Sequence, residues 1–127
     1  MAWTSTATRG ARSVSAAMGE GADILSVSAA VGAANACVQK LGPMHVTGEV
    51  TGFRGPNARS GHCYFQVKDD SSVMSVKVWK GIYAKSGVQL KDGLQIEIWG
   101  GFDVYAGNGE LSFIAKRISV AGEGPLQ

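Results

Sequence analysis

Five short runs of alternating apolar and polar residues, preceded by one run of helical period, predict an all-β fold. The form they predict is a small five-stranded Greek-key barrel with a flexible tail and a single helix in front of it. Three observations carry this. Alternation recurs at about 45–53, 62–68, 73–80, 93–105 and 110–120. Turn chemistry separates the runs, with 18 glycines in 127 residues, about twice the usual share. Between the third and fourth runs lies a short segment, Gly81 to Gly87, with room for little more than a turn of helix.

The length suits one domain. Hydrophobic residues make up 45% of the chain and can fill a core, while charged residues are 17% against a usual ~25%. The longest uninterrupted apolar run is three residues, and a membrane helix needs roughly 20. Cys37 and Cys63 form no CxxC pair and each falls in an apolar pattern. They read as buried, reduced thiols of a cytoplasmic protein. His45 and His62 stand without a cluster of further ligands, so neither a metal nor another cofactor is expected in the chain.

Residues 1–22 form the tail. Ser, Thr and Ala dominate it, with Arg9 and Arg12 and no acid before Glu20. That composition has some likeness to an organellar transit peptide, and the reading adopted is an ordinary flexible extension. Residues 23–43 hold the helix. Ser26 or Ser28 can cap it, Ala30, Ala34, Val38 and Leu41 share one face, and Gly42-Pro43 stops it. Small residues on that face predict close packing against a larger body.

Residues 44–127 form the barrel. Its first strand places Val46 and Val50 inward, together with Gly48 and Gly52, where a strand bends or another backbone approaches. Arg54 to Gly61 is a loop. The second strand turns Cys63, Phe65 and Val67 inward and His62, Tyr64, Gln66 and Lys68 outward. Asp69 to Ser72 makes a tight turn. In the third strand Met74, Val76 and Val78 face inward, and Ser75, Lys77 and Trp79 face outward. Leu94, Ile96 and Ile98 point inward from the fourth, which kinks at Gly100-Gly101. Ala106 to Gly109 turns the chain into the fifth strand.

No catalytic constellation emerges. Neither histidine has a nucleophile placed beside it in a known pattern. Asp69-Asp70 is explained by turn chemistry, and Gly107-Asn108-Gly109 joins two strands instead of opening a helix. Charge is more informative. Between Thr51 and Lys91 the chain carries Arg54, Arg59, Lys68, Lys77, Lys80, Lys85 and Lys91 against Asp69 and Asp70 alone. Such a stripe fits a polyanion approached from one side, or lysines guarding strand edges, and charge by itself does not separate the two. The outward face of strands two and three adds rings to the cations. His62, Tyr64, Lys68, Lys77 and Trp79 lie there, and Arg54, Arg59 and Lys80 flank it. Unstacked bases need rings and phosphates need cations, so this face is the candidate for binding a single-stranded nucleic acid. The alternative is that Tyr64 and Trp79 merely cover a barrel end or pack under the helix.

Val46 to Phe53, followed by Ser60-Gly61-His62-Cys63-Tyr64-Phe65-Gln66-Val67-Lys68-Asp69, resembles the N-terminal OB-fold domain of the exodeoxyribonuclease VII large subunit. That family shows a GEIS-N-F-like first strand and then SGH-x-YF-x-LKD. Trp79-Lys80-Gly81, Asp92-Gly93-Leu94, the hairpin Tyr105…Gly109-Glu110 and the exit Gly122 to Gln127 continue the likeness in order. The chain departs from it at Leu111-Ser112-Phe113 and at Trp99. The resemblance implies an OB-fold that binds single-stranded DNA and guides it to a following nuclease domain, with small subunits bound further along. The whole enzyme degrades single-stranded DNA to oligonucleotides. Because the chain stops at Gln127, where the family begins its nuclease domain, the expectation is a binding module without catalytic residues. Two rival readings are a free-standing OB-fold binder of single-stranded DNA or RNA, and an oligomerisation module that binds no nucleic acid.

Overall fold

The computed structural model describes residues 24–122. The tail expected at 1–22 lies outside the described residues, as does the exit motif beyond Gly122. Helix α1, Val27–Gln39, begins where the Ser26 hydroxyl accepts a hydrogen bond from the Ala29 N–H at 3.1 Å. This cap satisfies one of the orphan donors of the first turn. Past the helix, Gly42 takes φ +71°, the left-handed conformation that glycine adopts without steric cost.

The packed face of α1 corrects the small-residue expectation. Ala30, Ala34 and Leu41 are exposed, and the half-buried positions are Val31, Asn35 and Val38. Polar clamps select that face. Asn35 Oδ1 accepts from the Val104 backbone N–H at 3.0 Å, and Gln39 Nε2 donates to the Phe102 carbonyl at 3.3 Å and to the Asp103 carboxylate at 3.2 Å. The rotation also corrects Cys37, which is exposed. Cys63 is buried as alternation predicts, and burial pushes its thiol pKa up.

The strands are β1 (Met44–Thr51), β2 (Cys63–Lys68), β3 (Val73–Val78), β4 (Gln95–Val104) and β5 (Leu111–Val120), with α2 (Lys80–Ser86) between β3 and β4. They close into a barrel in the order β1-β2-β3-β5-β4, with β3 and β5 parallel and every other pair antiparallel. This is the expected five-stranded architecture. Val50, Cys63, Val76, Val78, Ile96, Ile98 and Phe113 are fully buried at its centre. Ile82 and Tyr83 of α2 pack against this core.

Two glycine positions show how tightly the barrel closes. At Gly48 a Cβ would come within 3.2 Å of the Lys68 carbonyl oxygen, so β2 approaches there as expected. At Gly100, beside the β4–β5 register shift, a Cβ would run into the Ile114 carbonyl oxygen. Gly52 is a correction: it is exposed, lies past the end of β1 and bends the chain at φ +72°. The third strand is also shorter than alternation predicts, ending at Val78 because Trp79 caps α2 and Lys80 begins it. Among the described residues no helix is long and apolar enough to cross a membrane.

Candidate nucleic-acid interface

Strand register builds one face of the barrel. Antiparallel pairing sets Tyr64 of β2 beside Lys77 of β3, and parallel pairing sets Lys77 beside Ile114 of β5. Tyr64 is 43% exposed and Trp79, just beyond β3, is 37% exposed. Both residues therefore leave part of their surface open to solvent. The Lys77 ammonium lies 5.2 Å from the centre of the Tyr105 ring, within cation–π range. Tyr105 is exposed and opens the β4–β5 hairpin, its N–H donating to the Glu110 carbonyl at 2.9 Å.

His62 belongs to this cluster but has a structural job in it. Trp79, the residue before α2, makes no side-chain cap of its own. The His62 Nδ1 accepts the Lys80 backbone N–H at 2.9 Å instead. Accepting at Nδ1 places the ring's proton on Nε2 in the neutral form. The His62 ring also meets Trp79 edge-on, with centroids 4.8 Å apart. His62 therefore ties the β1–β2 loop to the start of α2 and fixes the indole.

That loop is internally ordered. Asn57 Oδ1 accepts from the backbone N–H groups of Arg59 and Ser60, and Gly61 turns at φ +77°. The aliphatic stem of Lys80 lies across Gly61, 3.0 Å from where a Cβ would sit. Arg54 and Arg59 are exposed on the same loop. His62, Tyr64, Lys77, Trp79 and Lys80 are thus brought together, with the two arginines on the flanking loop.

Lys68 stands apart. Although it shares the outward face of β2 with Tyr64, it lies four residues further along, roughly 13 Å at strand rise. Its surroundings are acidic: Glu49 is its partner on β1, and it lines a cleft with Glu49, Asp69 and Asp70. Backbone N–H groups of Ser71 and Ser72 hold the Asp69 carboxyl below the usual range, so the local field opposes a phosphate.

Among the described residues the one contact between a basic side chain and a carboxylate within 4 Å is the His45–Glu97 hydrogen bond at 2.9 Å, so no carboxylate neutralises Arg54, Arg59, Lys77 or Lys80. A second aromatic surface, which sequence reasoning did not single out, lies across β1, β4 and β5. There His45 stacks on Trp99 at 4.1 Å between centroids, and the Arg117 guanidinium lies 4.2 Å over the same indole. Because His45 and Arg117 come from strands on either side of β4, Trp99 is occupied by the protein itself. Tyr105 and Ile114, which lie beside Lys77 on the candidate face, were not singled out from the sequence either. For Tyr105 the signal was an aromatic at the mouth of a glycine hairpin. Ile114 could be found only from the β3–β5 pairing. Among the described residues no group of three or more His, Cys, Asp or Glu could hold a metal ion.

A family model described as an OB-fold nucleic acid binding domain matches residues 25–119. The chain is similar to the exodeoxyribonuclease 7 large subunit of Parvibaculum lavamentivorans, 35% identical over 88 residues, which cover 69% of this chain and 18% of that one. It is likewise similar to the exodeoxyribonuclease 7 large subunit of Streptococcus pneumoniae, 37% identical over 83 residues, covering 65% of this chain and 18% of the relative. The matched region is thus 18% of the length of each of these curated relatives. Among solved structures, a replication protein A heterotrimer bound to ssDNA matches with a TM-score of 0.51 at 12% identity, over 65% of this chain and 59% of that one. At that identity the likeness is one of fold.

Proposed function

This chain belongs to the family of OB-fold nucleic acid binding domains, and we propose that it is the single-stranded-DNA-binding module of an exodeoxyribonuclease VII large subunit. The carrying observation is the juxtaposition on β2 and β3 of half-exposed rings, Tyr64 and Trp79, with cations that no carboxylate neutralises among the described residues. Bases stack on Tyr64 and Trp79, with Tyr105 extending the platform. Lys77, Lys80, Arg54 and Arg59 attract phosphates, His62 holds Trp79 in place, and Lys68 contributes least because of its acidic neighbours. The sequence likeness to the large subunits supports the choice of parent enzyme. In that enzyme the module guides a strand to the nuclease domain, which cuts it to oligonucleotides in the cytoplasm, and the small subunits bind elsewhere on the large one. This module itself performs no hydrolysis.

Single-stranded binding to such a face depends steeply on salt, because each neutralised phosphate releases a counterion. With three to four contacts, log K should fall against log salt with a slope of about −2 to −3. Fluorescence anisotropy of a labelled oligothymidylate, titrated at several salt concentrations, measures it. A slope near zero would remove the basic residues from the mechanism. Equal affinity for RNA and DNA strands would favour a general single-strand binder over the exonuclease module.

A further inference from the structure

The row that starts at Tyr64 does not end at β3. Cα pairing carries it from Tyr64 to Lys77, from Lys77 to Ile114, and from Ile114 to Gly101 of β4. Four strands are crossed, which at ~4.8 Å per strand spacing spans about 14 Å. At Gly101 the row loses its side chain, and the surface drops into a cleft of about 230 Å³ lined by Val38, Gly42, Pro43, Gly100, Phe102 and Lys116. An adjoining cleft of about 220 Å³ joins it to Ile114 and Asp103. Helix α1 forms the outer wall.

Charge polarises this cleft. Lys116 is exposed on one rim and no carboxylate pairs with it among the described residues. On the other side the Asp103 carboxylate accepts from Gln39 and repels an anion. A strand running along the row would therefore meet a cation for its phosphate on the Lys116 side. Its base would find an apolar, glycine-floored recess beside Val38 and Phe102.

We propose that this cleft between α1 and the Gly100-Gly101 bulge is a further subsite for single-stranded nucleic acid. It receives one nucleotide beyond the Tyr64–Trp79 platform, with Lys116 at the phosphate. The subsite rests on the proposed function above and extends the binding face from β2–β3 across β5 to β4. It also gives α1 a role as a wall of the site, in addition to its packing on the barrel.

Gly101→Val fills the recess. A Cβ there meets only the Gly42 carbonyl oxygen, at an ordinary 3.6 Å, so the backbone leaves room for the first side-chain carbon. Lys116→Gln removes the cation and leaves the floor open. Wild type and both variants are titrated with oligothymidylates of about 4 and about 12 nucleotides, lengths within the range that OB-folds occlude. Thermal melting checks that each variant is folded. The expected result is that each variant binds the longer strand about threefold to tenfold more weakly than wild type and the shorter strand within about twofold of it. Lys116→Gln should also flatten the salt slope on the longer strand by less than about one unit. If both folded variants bind the longer strand as wild type does, the subsite is overturned while the platform stands. If wild type binds neither strand, the platform reading fails and the subsite fails with it.

Discussion

Phe65→Ala lowers the unfolding free energy by about 3–5 kcal/mol, the range for deleting a buried aromatic and leaving a cavity. Phe65 is 5% exposed and points into the barrel from the middle of β2, with its ring edge-on to Phe53 at 6.0 Å between centroids. A domain of this size has a total stability of about 5–15 kcal/mol, so the loss is a large share of it. Denaturant unfolding measures the effect. Tyr64→Ala, one residue earlier on the opposite face, should shift the midpoint far less, because its ring is 43% exposed. Equal losses for the two substitutions would mean that the face assignment of β2 is wrong.

Gly100→Ala should also destabilise the barrel, by a different route. The added methyl group falls on the Ile114 carbonyl oxygen and 3.0 Å from the Ala115 Cα. These are backbone atoms of β5, which is paired on both sides, to β4 and to β3. Relief requires β5 to move and both ladders to give way, so the cost should lie at or above the ~1–3 kcal/mol typical of overpacking. Gly101→Ala is the matched control, since its Cβ meets only the Gly42 carbonyl oxygen at 3.6 Å. The measurement is a melting temperature for each. Similar melting of Gly100→Ala and wild type would show that the bulge is more pliable than its geometry implies.

How much was legible in the sequence follows from which forces act locally. The pleat of β2 was readable because a two-residue period places Cys63, Phe65 and Val67 inside whatever the partner strand is. The Ser26 cap and the turn at Asp69 were readable because both are satisfied within a few residues. The packed face of α1 was not. Its choice rests on Asn35 and Gln39 reaching the backbone and side chain of residues 102–104, a contact more than sixty residues away in sequence. Apolar periodicity carries no trace of such polar clamps, and Cys37 was misplaced for the same reason. The limits of β3 were blurred because Trp79 continues the alternating pattern and has no capping side chain that would mark the start of α2. On the candidate site, the outward aromatics and lysines of β2 and β3 were legible from alternation. The structural task of His62, the acidic setting of Lys68 and the placing of Lys77 over the Tyr105 ring depended on loops and on tertiary register.

Whether Tyr64 and Trp79 form the proposed stacking platform for unpaired bases is tested most directly by the affinity of their two alanine variants. Each should weaken binding to an oligothymidylate by about 1–3 kcal/mol, the range for losing one aromatic platform. Both should remain folded by melting, because their rings are 43% and 37% exposed. Lys77→Ala, measured beside them, should instead flatten the salt slope by less than about one unit and weaken all sequences alike. Two folded alanine variants that bind the oligonucleotide as tightly as the wild type would contradict the account.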